Sequence, residues 1–294
     1  MRDVLLAHEP SIRLVTFAGV LVVLAILEAL LPRRLREIGR SRRWPSNLAI
    51  VAVDVVLVRV LFPLTAVGLA LLAESKGWGL LNQWPIAAWI AIPIAVVALD
   101  FVIYLQHVLF HAVPAFWRLH RMHHADLEFD VTTGTRFHPV EIALSMVIKL
   151  GAVAALGAPA LSVLIFELLL NATSMFNHSN IKLPLAMDRL LRWVVVTPDM
   201  HRVHHSVLVH ETNSNFGFNL PWWDRLLGTY RDQPEAGHVG MEIGVAEIRS
   251  PAEQRFDRML TQPFRLGEGR SALGHRETSD VRVDLDPTAR SRHG

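Results

Sequence analysis

Three histidine strings carry the chemistry available to this chain: His107-Val-Leu-Phe-His111, His120-Arg-Met-His123-His124 and His201-Arg-Val-His204-His205. On a helix, residues i, i+3 and i+4 share one face, so each string projects its rings in one direction. Such imidazole clusters point to a metal centre, and three such faces meeting at one point could surround more than one ion. Neutral imidazole suits iron, copper, zinc and nickel. The chain has 15 His in 294 residues. At that frequency an HxxHH string arises by chance only about 0.04 times per chain, so two of them beside an HxxxH argue for a selected arrangement. The absence of cysteine from the sequence excludes thiolate metal sites, disulfides, Fe–S clusters and cysteine nucleophiles.

The segments that must position these rings are apolar. Half of the composition is hydrophobic (51%) and the mean hydropathy is +0.31, which places the chain among membrane proteins rather than ordinary soluble domains. Residues 14–31 form a first apolar run around Glu28. Residues 48–73 form a second, containing Asp54 and Arg59, and 86–105 a third, containing Pro93 and Asp100. Each approaches the roughly 20 residues needed to cross a bilayer. The first run lacks a small-residue cleavage site and leads into a basic loop, so it reads as an uncleaved membrane helix. That loop holds Arg33, Arg34, Arg36, Arg40, Arg42 and Arg43. The loop at 74–85 holds a single Lys and a single Glu, and the positive-inside rule therefore puts the arginine loop in the cytoplasm. The third run returns there and carries His107 and His111 out on its extension.

A fourth run, 140–170, is too long for one span and contains Gly151, Gly157 and Pro159. Gly and Pro near its middle predict two shorter helices in a hairpin. Such a hairpin returns the chain to its own side, which places the string at 201–205 beside the other two. Pro114 and Pro198 stand shortly before the two HxxHH strings, and Thr197 is a good N-cap, so both strings are expected on short helices. The expected fold is all-α: a multi-pass membrane protein of three spanning helices plus a helical hairpin, with a cytoplasmic helical cap carrying the metal site.

Further residues join the candidate site. His178, just after the hairpin, is expected to emerge on the same side and is a candidate ninth ligand. Asp100 shares a helix face with Tyr104, His107 and His111, and is a candidate to accept a hydrogen bond from a ligating ring. His138, before Pro139 and Glu141, is a candidate of the same kind, or a ligand, or an N-terminal helix residue with a structural hydrogen bond. Glu28, Asp54, Arg59 and Glu167 lie in apolar runs, where interhelical partners or snorkelling account for them. Paired Trp222 and Trp223 suit a membrane interface and could roof the site. The pI is 9.4 with a net charge of +2, and no basic stripe interleaved with aromatics accompanies it, so nucleic acid is not an expected partner.

These motifs, taken in order, resemble the fatty acid hydroxylase / sterol desaturase family of integral-membrane non-haem di-iron oxygenases. The resemblance spans about residues 100–231. Besides the three strings it includes Trp117-Arg118, Arg136-Phe-His138-Pro139-Val-Glu141, Asn177-His178-Ser179, Thr197-Pro198-Asp199-Met200, Asn215-Phe-Gly217 and Trp223-Asp224-Arg225-Leu-Leu-Gly228-Thr229-Tyr230. It implies that His107, His111, His120, His123, His124, His178, His201, His204 and His205 hold two iron ions, with zinc a possible substitute in purified material. It also implies O2 as co-substrate, a membrane lipid (sterol, fatty acyl or related) as substrate for hydroxylation or desaturation, and an external electron donor. That donor would be a ferredoxin or a cytochrome b5-like protein with its reductase. The domain reading that follows is 1–95 as N-terminal membrane helices, 96–232 as the catalytic domain, 233–264 as a cytoplasmic extension and 265–294 as a disordered tail. The alternative is a histidine-rich membrane metal-binding or transport protein. Transporters tend to place their ligands at the bilayer midplane, whereas these cluster outside the apolar runs. A bis-histidine haem protein would need far fewer rings.

Overall fold

The computed structural model describes residues 2–265; the expectation of a disordered tail concerns residues that lie outside these, apart from Arg265. The described residues are helical, with isolated bridges at Pro32–Ile181 and Ser206–Ile243 and no strand among them. The elements that build the site are α1 (Glu9–Leu30), α2 (Arg40–Leu61), α3 (Ala66–Lys76), α4 (Ala88–Ala112), α5 (Pro114–His124), α6 (Pro139–Leu156), α7 (Ala160–Asn177), α8 (Pro198–His204) and α9 (Phe256–Arg265). Among the described residues, five stretches are long and apolar enough to cross a membrane: Glu9–Leu30, Arg40–Asn82, Ala88–Ala112, Pro139–Leu156 and Ala160–Asn177. Their outward faces are apolar, with Leu14, Val15 and Val22 of α1 and Val56 and Val60 of α2 exposed. Such faces suit lipid, which needs no polar partner.

The apolar run at 48–73 is divided between two helices: α2 ends at Leu61 and α3 begins at Ala66. Pro63 supplies no backbone N–H there, and Thr65 Oγ1 caps the new helix by accepting from Gly68 N at 3.0 Å. The hairpin forms as its Gly and Pro predict. Gly157 ends α6 in the left-handed region (φ +63°), and Pro159 precedes α7. The chain bends there against Gly79, where an added Cβ would lie 2.1 Å from the Gly157 nitrogen. Gly79→Ala is therefore expected to cost roughly 1–3 kcal/mol through backbone displacement. It should appear as a lower unfolding midpoint in detergent, and an unchanged midpoint would show that the two turns can separate freely.

Helices α1 and α4 both pack along α7, and α3 packs on α6 and α7. Ala66, Val67, Leu99, Ile103, Val153, Leu164 and Phe166 form the core between them. Helix α4 runs 25 residues through Pro93 and Asp100, about 37 Å at 1.5 Å per residue. That exceeds a hydrocarbon core of about 30 Å, and His107 and His111 lie in its last turns.

Glu28 in the first apolar run is a buried joint. Its Oε1 accepts from Val131 N at 2.7 Å and Asn180 N at 2.8 Å, and its Oε2 from Arg36 and Arg40. Arg33 pairs with Asp199 at 3.0 Å, two residues before His201. The arginine segment thus lies at the same end of the helices as the histidines.

Candidate metal centre

The nine histidines that the resemblance implies as ligands come together, and they are buried. They sort into two groups that cut across the strings. His107 and His111 from α4, His120 and His124 from α5, and His204 from α8 form one; His123, His178, His201 and His205 form the other. Within each group the candidate donor atoms lie within 4.8 Å of one another. The HxxHH spacing explains the sorting. On α5, His123 turns towards one group while His120 and His124 turn towards the other; on α8, His201 and His204 separate in the same way.

The hydrogen bonds behind the rings determine what the rings offer. His107 Nδ1 donates to Phe216 O at 2.7 Å, His204 Nδ1 to Ser214 O at 2.7 Å, His178 Nδ1 to Ser174 O at 2.7 Å and His123 Nδ1 to Arg136 O at 3.1 Å. A carbonyl only accepts, so in each of these rings the proton sits on Nδ1 and Nε2 presents a lone pair. His120 Nδ1 likewise faces Glu141 Oε1 at 2.7 Å. Burial pushes His120 and His178 down to about 3. Burial, then neighbouring imidazoles, holds His123, His124, His201, His204 and His205 well below the usual histidine range. Outside the spans, then, the rings are neutral at pH 7, the form in which imidazole binds metal.

These lone pairs point at one another. His107 Nε2 is 3.1 Å from His120 Nε2 and 3.0 Å from His204 Nε2, and His178 Nε2 is 3.1 Å from both His123 Nε2 and His205 Nε2. With Nδ1 protonated on both sides, the His107–His204 and His123–His178 contacts have no hydrogen to share. Such pairs repel unless a cation lies between them. Metal–nitrogen bonds of about 2.1 Å put neighbouring ligands about 3.0 Å apart in an octahedron and about 3.4 Å apart in a tetrahedron. In addition, both ring nitrogens of His124 and of His201 are buried without a hydrogen-bond partner, which metal coordination would satisfy. The donor set fits two imidazole-bound metal ions.

Asp100 and His138 do not stand directly behind these rings. Asp100 Oδ2 accepts from Trp223 Nε1 at 2.8 Å and Leu220 N at 3.3 Å, because the 216–224 segment folds over α4 and reaches it first. That segment also includes the Phe216 carbonyl that takes His107 Nδ1. His138 is the N-cap of α6: its Nδ1 accepts from Val140 N, and its Nε2 donates to Leu260 O at 3.1 Å on α9. Trp222 Nε1 donates to Trp193 O, so neither Trp of the pair bonds a histidine.

Several supporting residues were missed as such in the sequence. Asp224 accepts from Phe216 N and Gly217 N at 2.8 and 2.9 Å and so aims the Phe216 carbonyl at His107. Asn215, held at φ +53°, donates to Met200 O and Arg231 O at 2.8 Å, tying the loop to α8. Glu141 is the carboxylate behind His120, yet the sequence placed it only beside His138. Its position in the first turn of α6, facing α5, was the signal. We expect Glu141→Ala to leave the fold intact and to weaken metal binding by about 10–100-fold, the usual loss when a ligand's outer partner is removed. A chelator competition titration would read this, and undiminished affinity would show that His120 needs no such anchor.

The site opens onto a cavity of about 270 Å³ among the membrane helices, whose walls include His107 and His120 together with Ile103, Phe110, Ile142 and Leu170. Buried polyhistidine groups at one end of a helical bundle that carries membrane-length apolar stretches, next to a cavity, make this a candidate metal centre.

Residues 92–229 match the fatty acid hydroxylase family model. An ornithine lipid hydroxylase of Rhizobium tropici is 30% identical over 195 residues, covering 66% of this chain and 55% of that protein. A fatty acid hydroxylase of a Lecanicillium species is 25% identical over 215 residues, 68% of this chain and 56% of that one. An alkylglycerol monooxygenase of Xenopus tropicalis is 27% identical over 146 residues, 48% of this chain and 31% of that one. The chain thus spans about half the length, or less, of these relatives, and no solved structure matches it. The region at 92–229 belongs to the fatty acid hydroxylase/sterol desaturase family.

Proposed function

We propose that this chain is an O2-dependent lipid hydroxylase whose two histidine groups each hold an iron ion. His107, His111, His120, His124 and His204 would bind one, and His123, His178, His201 and His205 the other. The observation that carries the reading is the set of facing Nε2 lone pairs about 3 Å apart, oriented by Nδ1–H bonds to fixed acceptors. Bound iron would supply the oxidising power that no side chain has against an unactivated C–H bond. The protein's own contribution is positional. Glu141 and the carbonyls of Arg136, Ser174, Ser214 and Phe216 lock the ring orientations, and the buried surroundings keep bulk water away. The cavity beside His107 and His120 is where a lipid C–H would lie.

Hydroxylation is favoured over desaturation by the relatives, which are named as hydroxylases and a monooxygenase. The balance is one C–H, one O2, two electrons and two protons giving C–OH and water. The electrons would come from a separate donor, a ferredoxin or a cytochrome b5-like protein with its reductase. We place the site on the cytoplasmic face, because the arginine segment at 33–43 lies at the same end as the histidines. Lipid mass analysis of cells with and without the protein tests the reading. A lipid gaining one oxygen atom, together with two irons per purified chain, is the expected result. An unchanged lipid profile with iron bound would overturn it.

A further inference from the structure

One apolar surface lies outside the five membrane-length stretches. The helices at Leu185–Leu191 and Trp222–Leu226 build it together. Trp222 Nε1 donates to Trp193 O at 2.7 Å, Arg225 Nη2 donates to Arg192 O at 3.2 Å, and the Arg225 guanidinium lies 4.4 Å from the Trp193 ring centroid. Leu185, Leu190, Trp193, Trp222, Leu226 and Leu227 all turn outwards, with Leu190 71% and Leu226 73% exposed. The acids of the two stretches turn inwards: Asp188 pairs with Arg192 at 2.7 Å, and Asp224 takes the Phe216 and Gly217 amides. The fully exposed charges beside this face, Lys182 and Arg189, are cationic. A contiguous apolar face with a polar rim marks a contact with a protein or a membrane.

We propose that this face is embedded in the bilayer leaflet on the histidine side, with its apolar side chains among the upper acyl carbons and its cations at the headgroup phosphates. The inference rests on the reading of the five stretches as membrane spans, and the depth at which the face joins the bundle carries it. Trp223 packs on Phe101 of α4 with ring centroids 4.7 Å apart, and Thr173 of α7 donates to Asn219. Phe101 stands thirteen residues beyond the start of α4 at Ala88, and Thr173 as many beyond the start of α7 at Ala160. At 1.5 Å per residue, both contacts lie about 20 Å along their helices. The starting end is the far membrane boundary. Trp78, Trp84 and Trp89 are exposed there, beside the contact of Gly79 with Gly157, as in the aromatic belts of membrane proteins. A hydrocarbon core of about 30 Å measured from those tryptophans reaches about 10 Å past the 219–223 segment. Helix tilt only deepens the segment. Leu105 and Leu109, one and two turns beyond Phe101 on α4, are exposed as well, so the lipid-facing surface does not stop below the face. A soluble electron carrier would have to enter the acyl region to reach it. An interfacial element, by contrast, buries its apolar side about 5–10 Å deep and keeps its cations at the headgroups. The 216–224 segment also bears the carbonyl that orients His107, so the anchor and the support of the metal centre are one piece of chain.

The chain has no cysteine, so single-cysteine variants report one site each. Leu190→Cys and Leu226→Cys would each carry a bimane fluorophore in the purified full-length protein, reconstituted in nanodiscs of phosphatidylcholine and phosphatidylglycerol. Val56→Cys on the outer face of α2 is the lipid reference, and Asp257→Cys on α9 the water reference. The quenchers are a lipid with a nitroxide on its acyl chain and aqueous iodide. The expected result is lipid quenching at positions 190 and 226 at least about fivefold that at 257, with iodide quenching correspondingly low, as for side chains about 5–10 Å below the headgroups. A nitroxide near the head of the acyl chain should quench them more strongly than one near its end. Iodide quenching equal to that at 257, the result for a water-facing surface that docks a soluble protein, would overturn the proposal. Protection from both quenchers, the result for a face covered by a second copy of the chain, would overturn it as well. If one labelled variant does not fold, the other decides. Val56→Cys separates the failures. Lipid quenching there with iodide quenching at 190 and 226 removes the anchor and keeps the spans, whereas iodide quenching at all four positions removes both.

Discussion

His178→Ala is expected to reduce the metal content of the purified protein from two ions per chain to about one, and to lower lipid hydroxylation by more than about 100-fold. The asymmetry between the two groups is the reason. His178 belongs to the four-histidine group, where its Nε2 stands 3.1 Å from both His123 and His205. Removing it leaves three ligands and deletes the ring that the other two face. His204→Ala acts on the five-histidine group and still leaves four imidazoles. That ion should be retained but held about 10–100-fold more weakly, with a smaller loss of activity. His138→Ala is the control, since His138 bonds Val140 N and Leu260 O rather than a partner ring. It should keep both metals and lose only the stability of a helix cap, about 1 kcal/mol. Metal analysis by mass spectrometry separates these outcomes. Two ions retained in His178→Ala would show that the four-histidine group is not a metal site.

His178 also shows how far the sequence alone reached. The strings reveal themselves because HxxHH is a helical period that brings its rings to one side of a helix, where the structure then divides them between two groups. His178 has no such period around it; it was reachable only through topology, because the Gly157–Pro159 turn returns the chain to the side where the strings emerge. The hairpin and the length of α4 follow from local rules of hydropathy, glycine and proline. What stayed hidden were contacts between residues distant in sequence. Nothing local distinguishes Asp224, which orients the Phe216 carbonyl, from Asp100, which was read as the partner of a ring. Only the fold of the 216–224 segment assigns Trp223 to one and the Phe216 and Gly217 amides to the other. The arginine segment reads in the sequence as a topological signal, and its carboxylate partners are not legible there. Arg33, Arg36, Arg40 and Arg43 each find a carboxylate.

Arg43→Met should be the most destabilising single change outside the histidines, and comparison with its neighbour separates structure from topology. The Arg43 side chain is fully buried in the first turn of α2. Its Nε and Nη2 take the two oxygens of Asp126 at 2.7 and 2.6 Å, and its Nη1 takes Asp130 at 2.7 Å. Both acids lie in the segment that follows His124 and leads to Arg136, whose carbonyl anchors His123. Burial alone would raise the Asp126 carboxyl, but Arg43 and then Arg136 hold it down at about 2. Two buried carboxylates therefore depend on one guanidinium, with Arg136 as a weaker second at 3.8 Å. Deleting one partner of such a cluster costs about 3–5 kcal/mol, because the remaining charges stay buried without compensation. Arg43→Lys keeps the charge but cannot fork across both oxygens of Asp126 while reaching Asp130, so an intermediate loss is expected. Arg42, exposed on the same turn, supplies an equal charge to the loop. If these arginines served only to keep the loop in the cytoplasm, Arg42→Met and Arg43→Met would behave alike and Arg43→Lys would be silent. The structure predicts instead a change within about 0.5 kcal/mol for Arg42→Met and a large fall in unfolding midpoint for Arg43→Met. Because the lost clamp bears on the segment that sets His123, bound metal should decrease along with stability in the Arg43 variants.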